Sequence, residues 1–145
     1  MRNSGMPLDL SWVEDTTINR SAIERRAQSL PGRRTVKKDW QAAWLLRSIE
    51  CIDLTTLSGD DTPGNVHRLC AKARQPVRKD LLDALGVPNI QVGAVCVYHQ
   101  YVAECVRNLA GSGIPVAAVS TGFPAGLSPF RERIHEIKAS VAAGA

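Results

Sequence analysis

The 145-residue sequence has only four cysteines, and Cys51, Cys70, Cys96 and Cys105 show neither CxxC nor zinc-type spacing. A structural zinc site and a dense disulfide framework are therefore excluded as the basis of the fold. Free thiols suit a reducing compartment, although spacing alone leaves one or two incidental disulfides open. Aromatic residues are scarce, at 5%. None interleaves with the basic run RRTVKK (33–38), as a single-strand nucleic-acid surface requires. That run reads as a solvated approach to a helix rather than a phosphate or nucleic-acid patch. Net charge is +4, from 18 basic and 14 acidic residues, too mild to imply a nucleic-acid partner. Apolar runs are short, and IPVAAV (114–119) cannot span a bilayer. The opening MRNSGMPLDL has no apolar core of a signal peptide. A cytoplasmic chain without a membrane partner is the expectation. Low-complexity segments and a glycine-rich phosphate loop are absent. His67, His99 and His135 are scattered, with no pair at helix ligand spacing and no Ser–His–Asp or Cys–His arrangement, so no metal is expected.

What is present is an alternation of strand and helix signals. Residues 1–38 form a polar, basic extension broken by Pro7, Pro31 and Gly32, with a helix expected within 19–29 on the spacing of Ile23 and Ala27. Asp39 is expected to cap a stronger helix, whose Trp40, Ala43, Trp44 and Arg47 share one side at helical spacing, a stripe that Leu45 and Ile49 widen. Paired tryptophans there read as core packing rather than a ligand box. CIDLTTL (51–57) reads as a strand. A helix over 62–74 follows, with Thr62 as cap and Pro63 at its first position. RKDLLDALG reads as a short helix ending at Gly86. VGAVCVY (92–98) and PVAAVSTG (115–122) read as strands, separated by the helical QYVAECVRNLAGSG. A last helix begins with Ser128 as cap and Pro129 at its first position. This order implies parallel strands with right-handed crossovers, apolar enough to be covered on both faces. The α/β class is either a small doubly wound sheet or part of a (β/α)8 barrel. A whole barrel needs roughly 250 residues, so residues 39–145 would be a portion of one.

Alternate strand residues share a face. Asp53, Thr55 and Leu57 therefore point one way, toward the end of a parallel sheet where ligands bind. A buried carboxylate there needs a cationic or hydrogen-bonding partner. The plainer reading is an aspartate that caps a turn. Asp60 and Asp61 suit turn and helix-start chemistry. Cys96 falls on the set Val92, Ala94, Cys96, Tyr98, as either a small buried hydrophobe or a thiol lining the same cavity. GFPAG (122–126) follows the third strand. Phe123 could wall a pocket there, or the segment could be a tight turn with one packed ring.

Taken together and in this order, RRTVKKDWQAAWLL, IDLTTLSGDDT, AVCVY and GFPAG resemble the N-terminal part of the deoxyribose-phosphate aldolase family, of the animal type, from about Leu8 to Ala145. His99 departs from the proline usual in the family after the CVY strand, which affects a turn more than a site. The resemblance implies a class I aldolase of deoxyribonucleotide catabolism on a (β/α)8 barrel. Here 39–145 would supply the first three βα units, behind a helical extension at 1–38. It implies cleavage of 2-deoxy-D-ribose 5-phosphate to D-glyceraldehyde 3-phosphate and acetaldehyde through a lysine Schiff base. A second lysine would lower the first one's pKa, and an aspartate would relay the proton. It implies no metal and no cofactor, a sugar-phosphate substrate, and room for a homo-oligomer in the full-length enzyme. Asp53, Thr55, Leu57, Cys96 and Phe123 match the family's pocket residues. The family's Schiff-base lysine, assisting lysine and relay aspartate fall beyond Ala145, so no catalytic residue is expected here. Independently, Lys37, Lys38, Lys72, Lys79 and Lys138 are the only lysines, and none sits at the end of an expected strand. The chain alone is expected to be inactive. The alternative is a short product acting as a binding module or as a partner of the full-length enzyme.

Overall fold

The computed structural model describes residues 6–33 and 35–145. Residues 1–5 and Arg34 lie outside the described residues, and with them part of the opening decapeptide and of the basic run. The chain divides into two compact units, Met1–Lys38 and Asp39–Ala145. The first holds helices α1 (Ser11–Glu14) and α2 (Arg20–Arg33), with no buried residue in either. The helix α2 does not break at Pro31 and Gly32 as the sequence suggested. Pro31 lies in its last turn, where the missing N–H forfeits a single backbone bond near a fraying end.

The second unit orders its elements as α3 (Lys38–Glu50), β1 (Asp53–Thr55), α4 (Pro63–Arg74), α5 (Lys79–Leu85), β2 (Ala94–Val97), a 3-10 turn (His99–Tyr101), α6 (Val102–Asn108), β3 (Val116–Ala118) and α7 (Phe130–Ala143). The three strands form one parallel sheet in the order β1-β2-β3. Each strand is shorter than its sequence signal, because pairing stops where loops leave the sheet. α4 begins as its sequence predicts: the Thr62 side chain accepts the Asn65 N–H at 3.3 Å, and Pro63 opens the helix where its lacking N–H costs nothing. Two other helix starts differ. Asp39 lies inside the first turn of α3 rather than capping it, and Pro129 precedes α7 with no side-chain cap from Ser128. Asp39 still puts negative charge at the positive end of its helix.

The core lies on one side of the sheet. Val66, Cys70 and Ala73 of α4, Val95 and Val97 of β2, and Val102 and Cys105 of α6 form a single buried cluster, with Val92, Leu109 just after α6, and Ile114. Leu54, Val116 and Ala118 pack against it from the same side of the outer strands. Polar ties fix the two helices. Arg74 donates from Nε to the Asn108 carbonyl at 3.1 Å and from Nη2 to the Ala110 carbonyl at 2.6 Å. The expectation of strands covered on both faces is met at β2, where Val95, Cys96 and Val97 are all buried, but not at β1. β1 shows an exposed, half-buried, exposed pattern, so among the described residues its second face is open.

Two apolar expectations are also corrected. Trp40 and Trp44 remain 75% and 61% exposed, so this pair is not core packing. Of the expected stripe only Ile49 packs against the core, and it shares the half-buried side of α3 with Ala42 and Leu46. Val92 is buried in the helix-side cluster, not on the face of Cys96. Its N–H goes to the Ala73 carbonyl of α4, while Gly93 and Ala94 both donate to the Ile52 carbonyl. This irregularity resets the alternation one residue before β2. A side chain at Gly93 would meet the Glu50 carbonyl oxygen at 2.7 Å, so only glycine lets the backbones approach there. Among the described residues no helix is long and apolar enough to cross a membrane.

These exposures make opposite forecasts for two large side chains. Trp44→Ala should change urea-unfolding stability by less than about 0.5 kcal/mol, whereas Val97→Ala, at a site with no exposure, should cost about 2 kcal/mol. Equal losses would mean that the tryptophan face is packed after all.

Candidate functional site

Packing Val95 and Val97 against the helices turns their neighbours to the opposite face. Register then aligns Asp53 beside Ala94, and Thr55 beside Cys96, which in turn lies beside Ala117. Asp53, Thr55 and Cys96 thus share the open face of the sheet. The ladder continues past the strands, with Thr56 N donating to the Cys96 carbonyl at 3.1 Å and Val119 N to the Val97 carbonyl at 3.2 Å.

Asp53 is exposed rather than buried, and among the described residues it makes no ion pair within 4.0 Å. Water solvates it, so the cationic partner that a buried acid would require is not needed here. Thr55 Oγ1 donates to the Asp53 carbonyl at 3.0 Å, an internal tie that stiffens the strand. Cys96 is only 8% exposed although it faces the open side. Burial pushes its thiol up, the Asp53 charge adds to this, and hydrogen bonds from Thr55 and the Val119 backbone partly offset it. Such a thiol is a neutral wall at pH 7, not a nucleophile. Leu57 is half-buried two residues beyond β1, and Phe123 is 45% exposed on the loop after β3. The structure brings Asp53, Thr55 and Cys96 together. It places Leu57 and Phe123 on the segments that leave the C-terminal ends of β1 and β3.

Two carboxylates of that end were not assigned a site role from the sequence. Asp61 closes the β1–α4 loop. Its carboxylate accepts from Thr56 Oγ1 at 2.9 and 3.0 Å and from the Ser58 N–H at 3.1 Å. Its carbonyl accepts from the Tyr101 hydroxyl, so the Asp61 turn holds the segment after β2. Glu136 of α7 accepts from the Gly122 N–H at 2.8 Å. No local sequence signal marks it, because its partner lies fourteen residues away. The five lysines are all exposed, and none lies at a strand end. Among the described residues no three His, Cys, Asp or Glu side chains converge as a metal site.

The thiols give a direct check. Cys51 is exposed, while Cys70, Cys96 and Cys105 are buried. Burial, with Cys70 close by, pushes Cys105 from 9.0 up to about 12. One thiol should react promptly with a disulfide reagent at pH 8, and three only after denaturation. Cys105 stays protonated when folded but ionises near its ordinary value when unfolded. Its contribution to stability is therefore complete below pH 9 and lost as pH rises toward 12. Urea midpoints should fall across that range, and less steeply in Cys105→Ala.

No family model matches the chain. Over 145 residues the chain is 52% identical to the deoxyribose-phosphate aldolase of Bos taurus, covering 97% of this chain and 46% of the relative. The enzymes of the same name from Homo sapiens and Mus musculus match at 52% and 53% identity, again over 46% of their length. The fold resembles a crystal structure from Coccidioides immitis described as a candidate deoxyribose-phosphate aldolase. That likeness has a TM-score of 0.56 at 21% identity, over 89% of this chain and 46% of the other. The chain thus spans about half the length of the relatives it matches. By descent it is a relative of the deoxyribose-phosphate aldolases, matched along nearly its whole length to somewhat less than half of theirs.

Proposed function

We propose that this chain supplies the first three βα units of a deoxyribose-phosphate aldolase barrel, behind a helical extension at 1–38, and one wall of its substrate pocket. The carrying observation is the 52% identity along 97% of the chain to an enzyme of that name. The open sheet face supports it, because Asp53, Thr55 and Cys96 share that face, with Thr55 and Cys96 toward the C-terminal end where parallel α/β sheets take their ligands. In this reading Asp53 and Thr55 offer polar contacts to a sugar phosphate. Leu57, Cys96 and Phe123 form the apolar wall. The neutral Cys96 thiol suits that role, since it adds no competing nucleophile beside an aldehyde.

The reaction is a retro-aldol cleavage through a Schiff base. An amine condenses with the sugar aldehyde and releases water. The electron pair of the breaking C–C bond flows into the iminium, and a carboxylate relays the proton. The amine must be neutral and desolvated, and all five lysines of this chain are exposed in water. The nucleophile therefore comes from outside residues 1–145, and these residues by themselves do not catalyse. No metal is required, because the iminium is the electron sink.

Mixing the 145-residue chain with 2-deoxyribose 5-phosphate and borohydride should give no reduced adduct in an intact-mass spectrum. A stoichiometric adduct on any lysine would overturn the reading. Completed by fusion to the part of the bovine relative that the match leaves uncovered, the chain should cleave the sugar phosphate. In that fusion Asp53→Asn should lower kcat/KM by about tenfold to a hundredfold, the scale of a charged hydrogen bond. An active fusion indifferent to Asp53→Asn would remove Asp53 from the pocket.

A further inference from the structure

One half-buried carboxylate outside the Asp53–Thr55–Cys96 face joins two strand ends. Glu136 lies in the second turn of α7, with its side chain 16% exposed. Its Oε2 accepts the Gly122 N–H at 2.8 Å, and its Oε1 stands 3.8 Å from Nδ1 of His99. Gly122 is four residues beyond β3, and His99 is two beyond β2. Of the neighbouring groups on α7, Glu132 faces His135 at 3.5 Å, and Arg133 lies over the Phe130 ring at 5.6 Å with its buried Nε unpaired among the described residues.

Gly122 is itself a tight junction. Its φ is +74°, and a side chain there would meet Ser128 Oγ at 2.6 Å. Its carbonyl accepts the Gly126 N–H at 2.8 Å, which closes residues 122–126 into a turn that carries Phe123. Among the described hydrogen bonds, Glu136 is the only side chain that ties this turn to a helix. A carboxylate accepting a backbone N–H makes a charge-assisted bond, stronger than a neutral one.

We infer that Glu136 is a positioning residue for the substrate end of the sheet. It holds the Gly122 amide while facing His99, and so fixes the 122–126 turn, with Phe123, relative to the ends of β2 and β3. This rests on reading that end as the place where a sugar phosphate binds. The residue touches no reacting group. Its effect is to keep one wall in a single place before a ligand arrives, which lowers the ordering cost of binding.

The test reads loop order in the 145-residue chain, without substrate. Residue-resolved amide exchange is combined with fluorine NMR of the chain labelled with fluorophenylalanine. Glu136→Ala should speed exchange at Gly122 by about tenfold or more. It should also shift or broaden the Phe123 resonance, leaving the Phe130 resonance and the amides of Val95, Val97 and Cys105 unchanged. Glu136→Gln keeps an acceptor oxygen of the same shape and should restore most of the protection. Unchanged exchange at Gly122 in the alanine variant would overturn the inference. So would a loss of protection spread through the core in both variants, which marks a merely structural side chain. Because no ligand is used, an inactive fusion enzyme would defeat the aldolase reading and leave this result standing, and the reverse also holds.

Discussion

Everything at the open face depends on burying two valines. Val95 and Val97 have no exposure, and they meet Val66 and Cys70 of α4 and Val102 and Cys105 of α6 in one cluster. Burying such side chains is worth about 1.5–3 kcal/mol each. The side-chain period of a strand is two, so that burial also directs Cys96 to the other face. A slip of one residue would expose both valines and press the thiol into the helices. The register carries this choice outward, from Cys96 to Thr55 on one side and to Ala117 on the other. The place of Asp53 is thus a consequence of apolar packing on the opposite side of the sheet.

The two ends of the sheet are held by different physics. The helix side is apolar, with Arg74 binding the turn after α6 through carbonyls. The loops leaving the C-terminal ends of the strands are held by carboxylates. Asp61 gathers Thr56 and Ser58, and its carbonyl takes the Tyr101 hydroxyl. Glu136 takes Gly122 and faces His99. Polar loops cannot be fixed by burial without orphaning backbone groups, so side-chain acceptors do the fixing. Loop ends set in this way suit a surface that must present polar groups to a ligand in a constant arrangement.

Local signals were legible wherever a few adjacent residues decide the outcome. Thr62 and Pro63 start α4 as their chemistry demands, and the β-branched run around Val95 forms the central strand. That Asp53 and Thr55 share a face follows from alternation alone, and the homology to deoxyribose-phosphate aldolases was carried by four short strings. Other features were hidden because their partners are remote in the chain. α3 offers two stripes at helical spacing, one with Trp40 and Trp44, the other with Ala42 and Leu46, and Ile49 lies at the edge of both. The large tryptophans draw attention to the first, but the second is the half-buried one, and Ile49 beside it meets the core.

The sequence by itself determined the order of strands and helices, the start of α4 and the kinship with an aldolase family, because each rests on contiguous residues. Only the tertiary structure decided which stripe of α3 turns inward, that Val92 leaves the face of Cys96, that Asp53 stands in water, and that Glu136 holds Gly122. Each of these is set by where a second segment lies. A glycine at 93 that lets Glu50 approach, or a carboxylate fourteen residues from its amide, acquires its meaning only when folding brings the partner within a few ångströms.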